Sequence, residues 1–249
     1  MNFGVFPSSG ARKTIFFDID DTICTIDAKH DFDCLRLKVK FVEYYMFPHF
    51  KCLLDYLISH NCEIAFFSAA PKRRNMDLLN NYLSHDTMFG TAGFDRLKAE
   101  GQFKVYSDNH LRDNCKSLKA LLRSDQCIDD TVLIDDTHGN APEDEQPLIL
   151  IPGSKFHFNN MYYLLGLFIN YFEYAAINGI SLRAYYTSLP KTRNLFPDDV
   201  LAFTLTGLNE VRKITPTAVL HLKFGSENYI QDTFGELDLA VFTHGQTDG

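Results

Sequence analysis

The residues best equipped for chemistry stand close together near the N-terminus, where Asp18, Asp20, Asp21 and Thr22 follow the apolar run Ile15, Phe16 and Phe17. An apolar run that stops on carboxylates reads as a buried strand ending at a crevice. Parallel strands are covered on both faces, and open α/β sheets bind ligands beyond the carboxyl ends of their strands. As such a strand runs out into a loop, Asp18 and Asp20 can converge on one point. Two carboxylates there serve as ligands to a hard cation or as a nucleophile and its acid, and both uses are open here. The plainer alternative is a solvated acidic turn.

Two further apolar runs end in the same way. Ile64, Ala65, Phe66 and Phe67 lead to Ser68, and Val132, Leu133 and Ile134 lead to Asp135, Asp136 and Thr137. Between the first two runs, Pro48 opens an expected helix reaching His60, with Phe50, Leu53, Leu54, Leu57 and Ile58 at three- and four-residue steps. Strand, helix and strand assemble as a right-handed crossover with parallel strands, which brings Ser68 near Asp18. Pro71 opens the next expected helix, with Met76, Leu78, Leu79 and Tyr82 on its apolar side, and a third helix carrying Lys116 and Lys119 is expected over residues 111–123. A short strand over residues 148–151 completes the pattern. Strand then helix, repeated, with polar residues at each strand exit, predicts a doubly wound, Rossmann-like α/β fold with a parallel sheet.

Residues 25–40 are polar and irregular, of a length for a loop or a small hairpin flap. Residues 162–176 are the most apolar helical stretch. They fall short of the roughly twenty apolar residues of a membrane span, and Asn170 and Glu173 interrupt them. A helix packed on the sheet is expected, with a partner- or membrane-facing helix as the alternative. Beyond Pro190 the strand–helix rhythm is lost. Leu220, Leu222 and Phe224, and then Leu237, Leu239 and Val241, alternate with other residues as in two short strands. The expected organisation is a core over residues 1–190 and a C-terminal extension over residues 191–249, which either packs on the core or begins a further region.

The chain carries 24 Lys and Arg against 32 Asp and Glu, a net charge of -8, which disfavours nonspecific binding to nucleic acid or anionic lipid. Eight of the acidic residues, and no Lys or Arg, lie between Asp125 and Glu145. Six cysteines without a Cys-x-x-Cys pair read as reduced, structural thiols of a cytosolic protein. Residues 1–13 lack the basic start and apolar centre of a signal peptide.

Taken in order, Asp18 with Asp20, Asp21 and Thr22, then Ser68, then Lys116, then Asp135 with Asp136, resemble the four motifs of the haloacid dehalogenase (HAD) superfamily of phosphohydrolases over residues 13–180. The resemblance implies that Asp18 is the nucleophile that forms an aspartyl-phosphate, and that Asp20 is the general acid/base. It implies phosphate binding by Thr22, Ser68 and Lys116, with Lys119 the alternative lysine. It also implies Mg2+ held by Asp18, the main-chain carbonyl of Asp20, and Asp136, with Asp135 supporting them from behind. Arg73 and Arg74 lie close enough to meet an acidic substrate, but the plainer reading is exposed arginine in a helix's first turns. His138, Cys24 and Cys34 have the same standing.

Only 50 positions separate Asp18 from Ser68, too few for a folded cap beside the flap and helix, and the interval from Ser68 to Lys116 is also short. A site without a cap is open to a phosphorylated side chain on a protein. The layout is similar to the small phosphatases of the RNA polymerase II C-terminal domain, in which a segment like Phe94, Asp95, Arg96 and Leu97 is found. Asp21 and Asp136 depart from the glutamate and asparagine typical there. It is also similar to capless phosphotyrosine phosphatases that intracellular bacteria secrete into host cytosol, a resemblance compatible with 22 Phe, 12 Tyr and no Trp. The expected function is therefore a Mg2+-dependent protein phosphatase acting on phosphotyrosine. Phosphoserine/threonine or a small phosphomonoester is the alternative substrate, and docking through residues 157–249 an alternative main role. A binding-only relative is disfavoured because every catalytic position is filled.

Overall fold

A computed structural model describes residues 12–26, 34–85, 103–142, 148–150, 157–189 and 197–215. Its centre is the predicted strand β1 (Thr14–Phe17), which pairs in parallel with β5 (Glu63–Phe67) on one side and β7 (Thr131–Asp135) on the other. The outer strands β6 (Phe103–Tyr106) and β8 (Leu148–Leu150) complete a five-stranded parallel sheet in the order β6-β5-β1-β7-β8. Apolar residues run continuously through the central strands because both faces are covered. Ile15, Phe17, Ile64, Phe66, Val132 and Ile134 point into one core, and Phe16, Ala65, Phe67 and Leu133 into a second.

The first core is closed by helices. Helix α1 (Phe50–Ser59) contributes Phe50, Leu53, Leu54 and Leu57, as its spacing predicts, and α2 (Lys72–Ser84), capped by Pro71, contributes Leu78, Leu79 and Leu83. Among the described residues between β1 and α1, three strands form the flap. Strands β2 (Cys24–Thr25), β3 (Arg36–Val39) and β4 (Val42–Met46) make a small antiparallel sheet, and its edge strand β3 lies beside α2.

The second core is covered differently from expectation. Residues 111–123 are not a helix but a succession of turns. Asp113 and Asn114 have left-handed φ values of 50° and 62°, which short polar side chains tolerate and an α-helix does not. Arg112 and Cys115 exchange main-chain hydrogen bonds of 3.0 and 2.8 Å around them. Lys116, Ser117 and Leu118 are then all buried, a run incompatible with one helical face.

Helix α3 (His157–Asn170) continues through a π-helical turn, Tyr171–Ala175, and ends at left-handed Gly179. It is packed against α1, with Tyr162 stacked on His49 and Phe172 on His60. No helix among the described residues is long and apolar enough to cross a membrane. After the short α4 (Leu182–Ser188), a helix the sequence pattern did not predict, α5 (Pro197–Arg212), lies along α3. The crossing depends on two glycines: a Cβ on Gly166 would strike the Phe203 carbonyl, and one on Gly207 the Tyr162 carbonyl. The strands predicted at residues 220–224 and 237–241, and the segment Phe94 to Leu97, lie outside the described residues.

At the end of β5 away from the strand exits, the buried carboxylate of Glu63 is held by both terminal nitrogens of Arg123, at 3.0 and 2.9 Å, and by Lys104 at 2.8 Å. Burial alone would raise its pKa, but these cations outweigh burial and hold it below the usual carboxylate range. A depressed folded pKa gives stability that is present above the unfolded value of about 4.3 and lost as pH falls through the folded value. Glu63→Gln should therefore flatten the acid-side fall in stability measured by urea titration between pH 6 and 3. Gly166→Ala or Gly207→Ala should cost about 1–3 kcal/mol by forcing α3 and α5 apart, read as a lower midpoint in thermal or urea unfolding.

Candidate active site

Three neighbouring strands deliver the candidate residues to one edge. Phe17 lies level with Phe66 and Ile134 in the register, so the next step along the sheet places Asp18 beside Asp135, with Ser68 one residue beyond β5. The Asp18 amide donates to the Ile134 carbonyl at 2.9 Å and holds the strand ends together as the chain leaves the sheet. It then turns sharply. Asp21 takes a left-handed φ of 54°, and the amides of Ile23 and Cys24 return to the Ile19 carbonyl at 3.0 and 3.2 Å. Ile19, Thr22 and Ile23 are buried under this turn, which frees Asp18 and Asp20 to face the edge.

Lys116 joins the first and third strands. Its Nζ is 2.6 Å from Asp18 Oδ1 and 2.6 Å from Asp135 Oδ2, and its side chain is only 2% exposed. Its own amide donates to the Asn140 carbonyl at 2.6 Å, and Asn140 Nδ2 donates to Asp135 Oδ1 at 2.8 Å, as does the Thr137 amide. Each Asp135 oxygen thus has partners from the protein. Burial would lower the Lys116 pKa, but the carboxylates of Asp18 and Asp135 more than compensate and keep it a cation. Asp18 is pushed up to about 7 by burial, with Lys116 pulling down and Asp135 pushing up. The structure therefore brings Lys116 to the site, while Lys119 is exposed.

Asp18, Asp135 and Asp136 each offer an oxygen within 4.8 Å of the others. Burial raises the half-buried Asp136 carboxyl, and the charges of Asp135 and Asp21 add to the rise, as befits a crowded set of anions. Five carboxylates, of Asp18, Asp20, Asp21, Asp135 and Asp136, meet two cations, Lys116 and Arg74, within this region. Such a hard oxygen donor set fits a divalent cation such as Mg2+. Asp135 already accepts from Lys116, Thr137 and Asn140, so Asp18 and Asp136 are the members of this group less engaged by the protein.

On the other side, Ser68 Oγ donates to Asp20 Oδ2 at 3.2 Å and accepts from the Ala70 amide at 3.1 Å. Arg74, on the first turn of α2, overturns its reading as a surface residue. Its Nη2 forms an ion pair with Asp20 Oδ2 and donates to Ser68 Oγ at 3.2 Å, and its guanidinium lies 5.8 Å from the centre of the Tyr44 ring. An arginine six residues after Ser68, on a helix starting at the strand exit, is the signal that finds it in sequence. Arg73 is exposed, as its plainer reading holds. Thr22 is buried, and its hydroxyl has no hydrogen-bond partner among the described residues. Cys24 is buried and its thiol pKa pushed well up by burial, then by Asp20, so it is not a reactive thiolate. Cys34 is half-buried, and His138 begins a 3-10 turn between Asp136 and Asn140.

The family described as NLI interacting factor-like phosphatase matches residues 13–178, more than half of the chain. The chain belongs to this family. It is thus of the capless HAD phosphatase type, on a parallel α/β fold. Among curated proteins, none matches significantly. The chain is similar to two solved structures. One is Fcp1, described as an essential RNA polymerase II CTD phosphatase, at 17% identity over 60% of this chain and 45% of that one, with a TM-score of 0.37. The other is the fission yeast RNA polymerase II CTD phosphatase Fcp1 bound to beryllium fluoride, at 14% identity over 84% and 68%, also with a TM-score of 0.37. The chain spans less than half the length of the first.

The two lysines can be separated experimentally. Lys116→Ala should lower kcat for an aryl phosphate by about a hundredfold or more, the scale of losing one preorganised charged donor, whereas Lys119→Ala should stay within about twofold of wild type. Steady-state kinetics on both variants, with circular dichroism to check folding, reads the difference.

Proposed function

We propose that the chain is a Mg2+-dependent phosphoprotein phosphatase that works through an aspartyl-phosphate on Asp18, with phosphotyrosine as its substrate side chain. The observation that carries this reading is the placement of Asp18. It is a buried carboxylate fixed by Lys116, with Asp20 two residues on and Asp135 and Asp136 on the neighbouring strand. Asp18 Oδ attacks phosphorus and the bond to the leaving oxygen breaks, while Asp20 gives that oxygen its proton. Asp20 then takes a proton from water, whose oxygen attacks phosphorus, breaking the bond to Asp18 and releasing inorganic phosphate. Ser68 and Lys116 donate to phosphoryl oxygens, and Asp135 keeps Lys116 aimed at Asp18. Asp18, Asp136 and the Asp20 carbonyl would hold Mg2+, which would supply positive charge to offset that of the phosphate dianion.

Two features support a protein substrate and the tyrosine side chain. The small sheet of β2, β3 and β4 stands where a cap domain would otherwise enclose a metabolite. Asp18 is only 5% exposed, so the ester must reach inward, and the long rigid arm of phosphotyrosine reaches further from a peptide backbone than phosphoserine does.

Matched phosphotyrosine, phosphoserine and phosphothreonine peptides, assayed with Mg2+ and with chelator, test this. The expected outcome is turnover fastest on phosphotyrosine, abolished by chelator and by Asp18→Asn. Turnover of a sugar phosphate or nucleotide but of no peptide would overturn the protein-substrate reading, and preference for phosphoserine would overturn the tyrosine assignment.

A further inference from the structure

The position that a substrate needs is filled by a side chain of the protein. On the reading above, on which this inference rests, the leaving oxygen must come within hydrogen-bond distance of Asp20 and a phosphoryl oxygen must reach Ser68. Arg74 Nη2 already bonds to both Asp20 Oδ2 and Ser68 Oγ, so it stands where those contacts are to be made. The other terminal nitrogen, Nη1, is buried and has no acceptor among the described residues, which leaves the guanidinium under-satisfied where it is. Tyr44 of the flap supports the guanidinium from one side, and the side chain keeps 18% exposure toward solvent.

We propose that Arg74 is a specificity-determining residue that reads an acidic side chain next to the phosphorylated residue of the substrate. A carboxylate arriving with the peptide accepts from the guanidinium, draws it off Asp20 and Ser68, and leaves both free for the ester. Arginine suits the task because its planar fork binds a carboxylate through two nitrogens at once. Four further cations, Arg36 and Lys38 on β3 and Lys72 and Arg73 on α2, are exposed on the adjoining elements. A neutral flanking residue offers nothing to replace Asp20, and such substrates compete with Arg74 for the site.

The test compares peptides that differ only in carrying Glu or Ala beside the phosphorylated residue, on whichever phosphorylated side chain the wild type hydrolyses. The enzymes are wild type, Arg74→Ala, Arg74→Lys and Arg73→Ala, with p-nitrophenyl phosphate as a substrate without flanks. The readout is the ratio of kcat/KM for the Glu peptide to that for the Ala peptide, which a general loss of activity or fold would not change. A ratio of about tenfold or more is expected for the wild type, the scale of one charge-assisted hydrogen bond. It should fall to near one in Arg74→Ala, recover in part in Arg74→Lys and persist in Arg73→Ala. A wild-type ratio near one, a ratio unchanged in Arg74→Ala, or a ratio lost in Arg73→Ala instead would each overturn the inference while leaving the phosphatase reading intact. A wild type that hydrolyses no phosphate ester would overturn that reading and the inference together.

Discussion

The site depends on one buried ammonium. Lys116 stands between Asp18 and Asp135, two carboxylates that parallel pairing forces side by side at the ends of β1 and β7. Without a cation between them, two buried anions at that separation would repel strongly, and breaking a buried pair of this kind typically costs about 3–5 kcal/mol. The sheet can therefore close on its functional edge only if the chain delivers a lysine there. Chemistry and stability make the same demand: the charge that lets β1 and β7 meet also orients Asp18, the nucleophile of the proposed reaction.

The chain meets this demand with an irregular segment. A helix over residues 111–123 would present its side chains around a cylinder and could not bury Lys116, Ser117 and Leu118 in succession. The left-handed turn at Asp113 and Asn114 instead allows an extended crossing, pinned by the bond from the Lys116 amide to the Asn140 carbonyl. Asn140 also holds Asp135, so one residue beyond β7 fixes both partners of the ion pair. The cost is a sheet face covered, among the described residues, by turns that contribute Leu111, Leu118 and Leu121 to the smaller core.

What could be read from sequence follows from this division. The inner strands β1, β5 and β7 were legible because burial on both faces leaves apolar runs, each of which ends on a polar residue at the candidate site. The helices α1 and α2 were legible from their spacing. Strand β6 was not, since Lys104 interrupts its apolar character in order to hold Glu63 on β5. Helix α5 was not, because Thr204 and Gly207, both of low helix propensity, interrupt the apolar spacing of Phe203, Leu208 and Val211 on its buried side. Lys116 could be named from its motif but not placed. Arg74 was not legible as a site residue, because an arginine in a helix's first turn is most often solvated, and only the tertiary structure shows a carboxylate and a serine within its reach.

The distribution of charge resolves an apparent contradiction in the composition. A protein with a net charge of -8 and five carboxylates around its site is a poor host for a phosphate dianion. Asp18 and Asp135, however, are buried and hold Lys116 between them, while the more exposed Asp20 is paired with Arg74. The basic residues of β3 and of the first turn of α2 lie on the elements that border the site. Arg36, Lys38, Lys72 and Arg73 are exposed on those elements, and on the reading proposed above the substrate meets the carboxylates at the point of reaction. There the same anions that would repel it serve to concentrate a cation. On that reading an acidic protein accepts an anionic substrate because Lys116 and a bound cation would offset the carboxylates where the two meet.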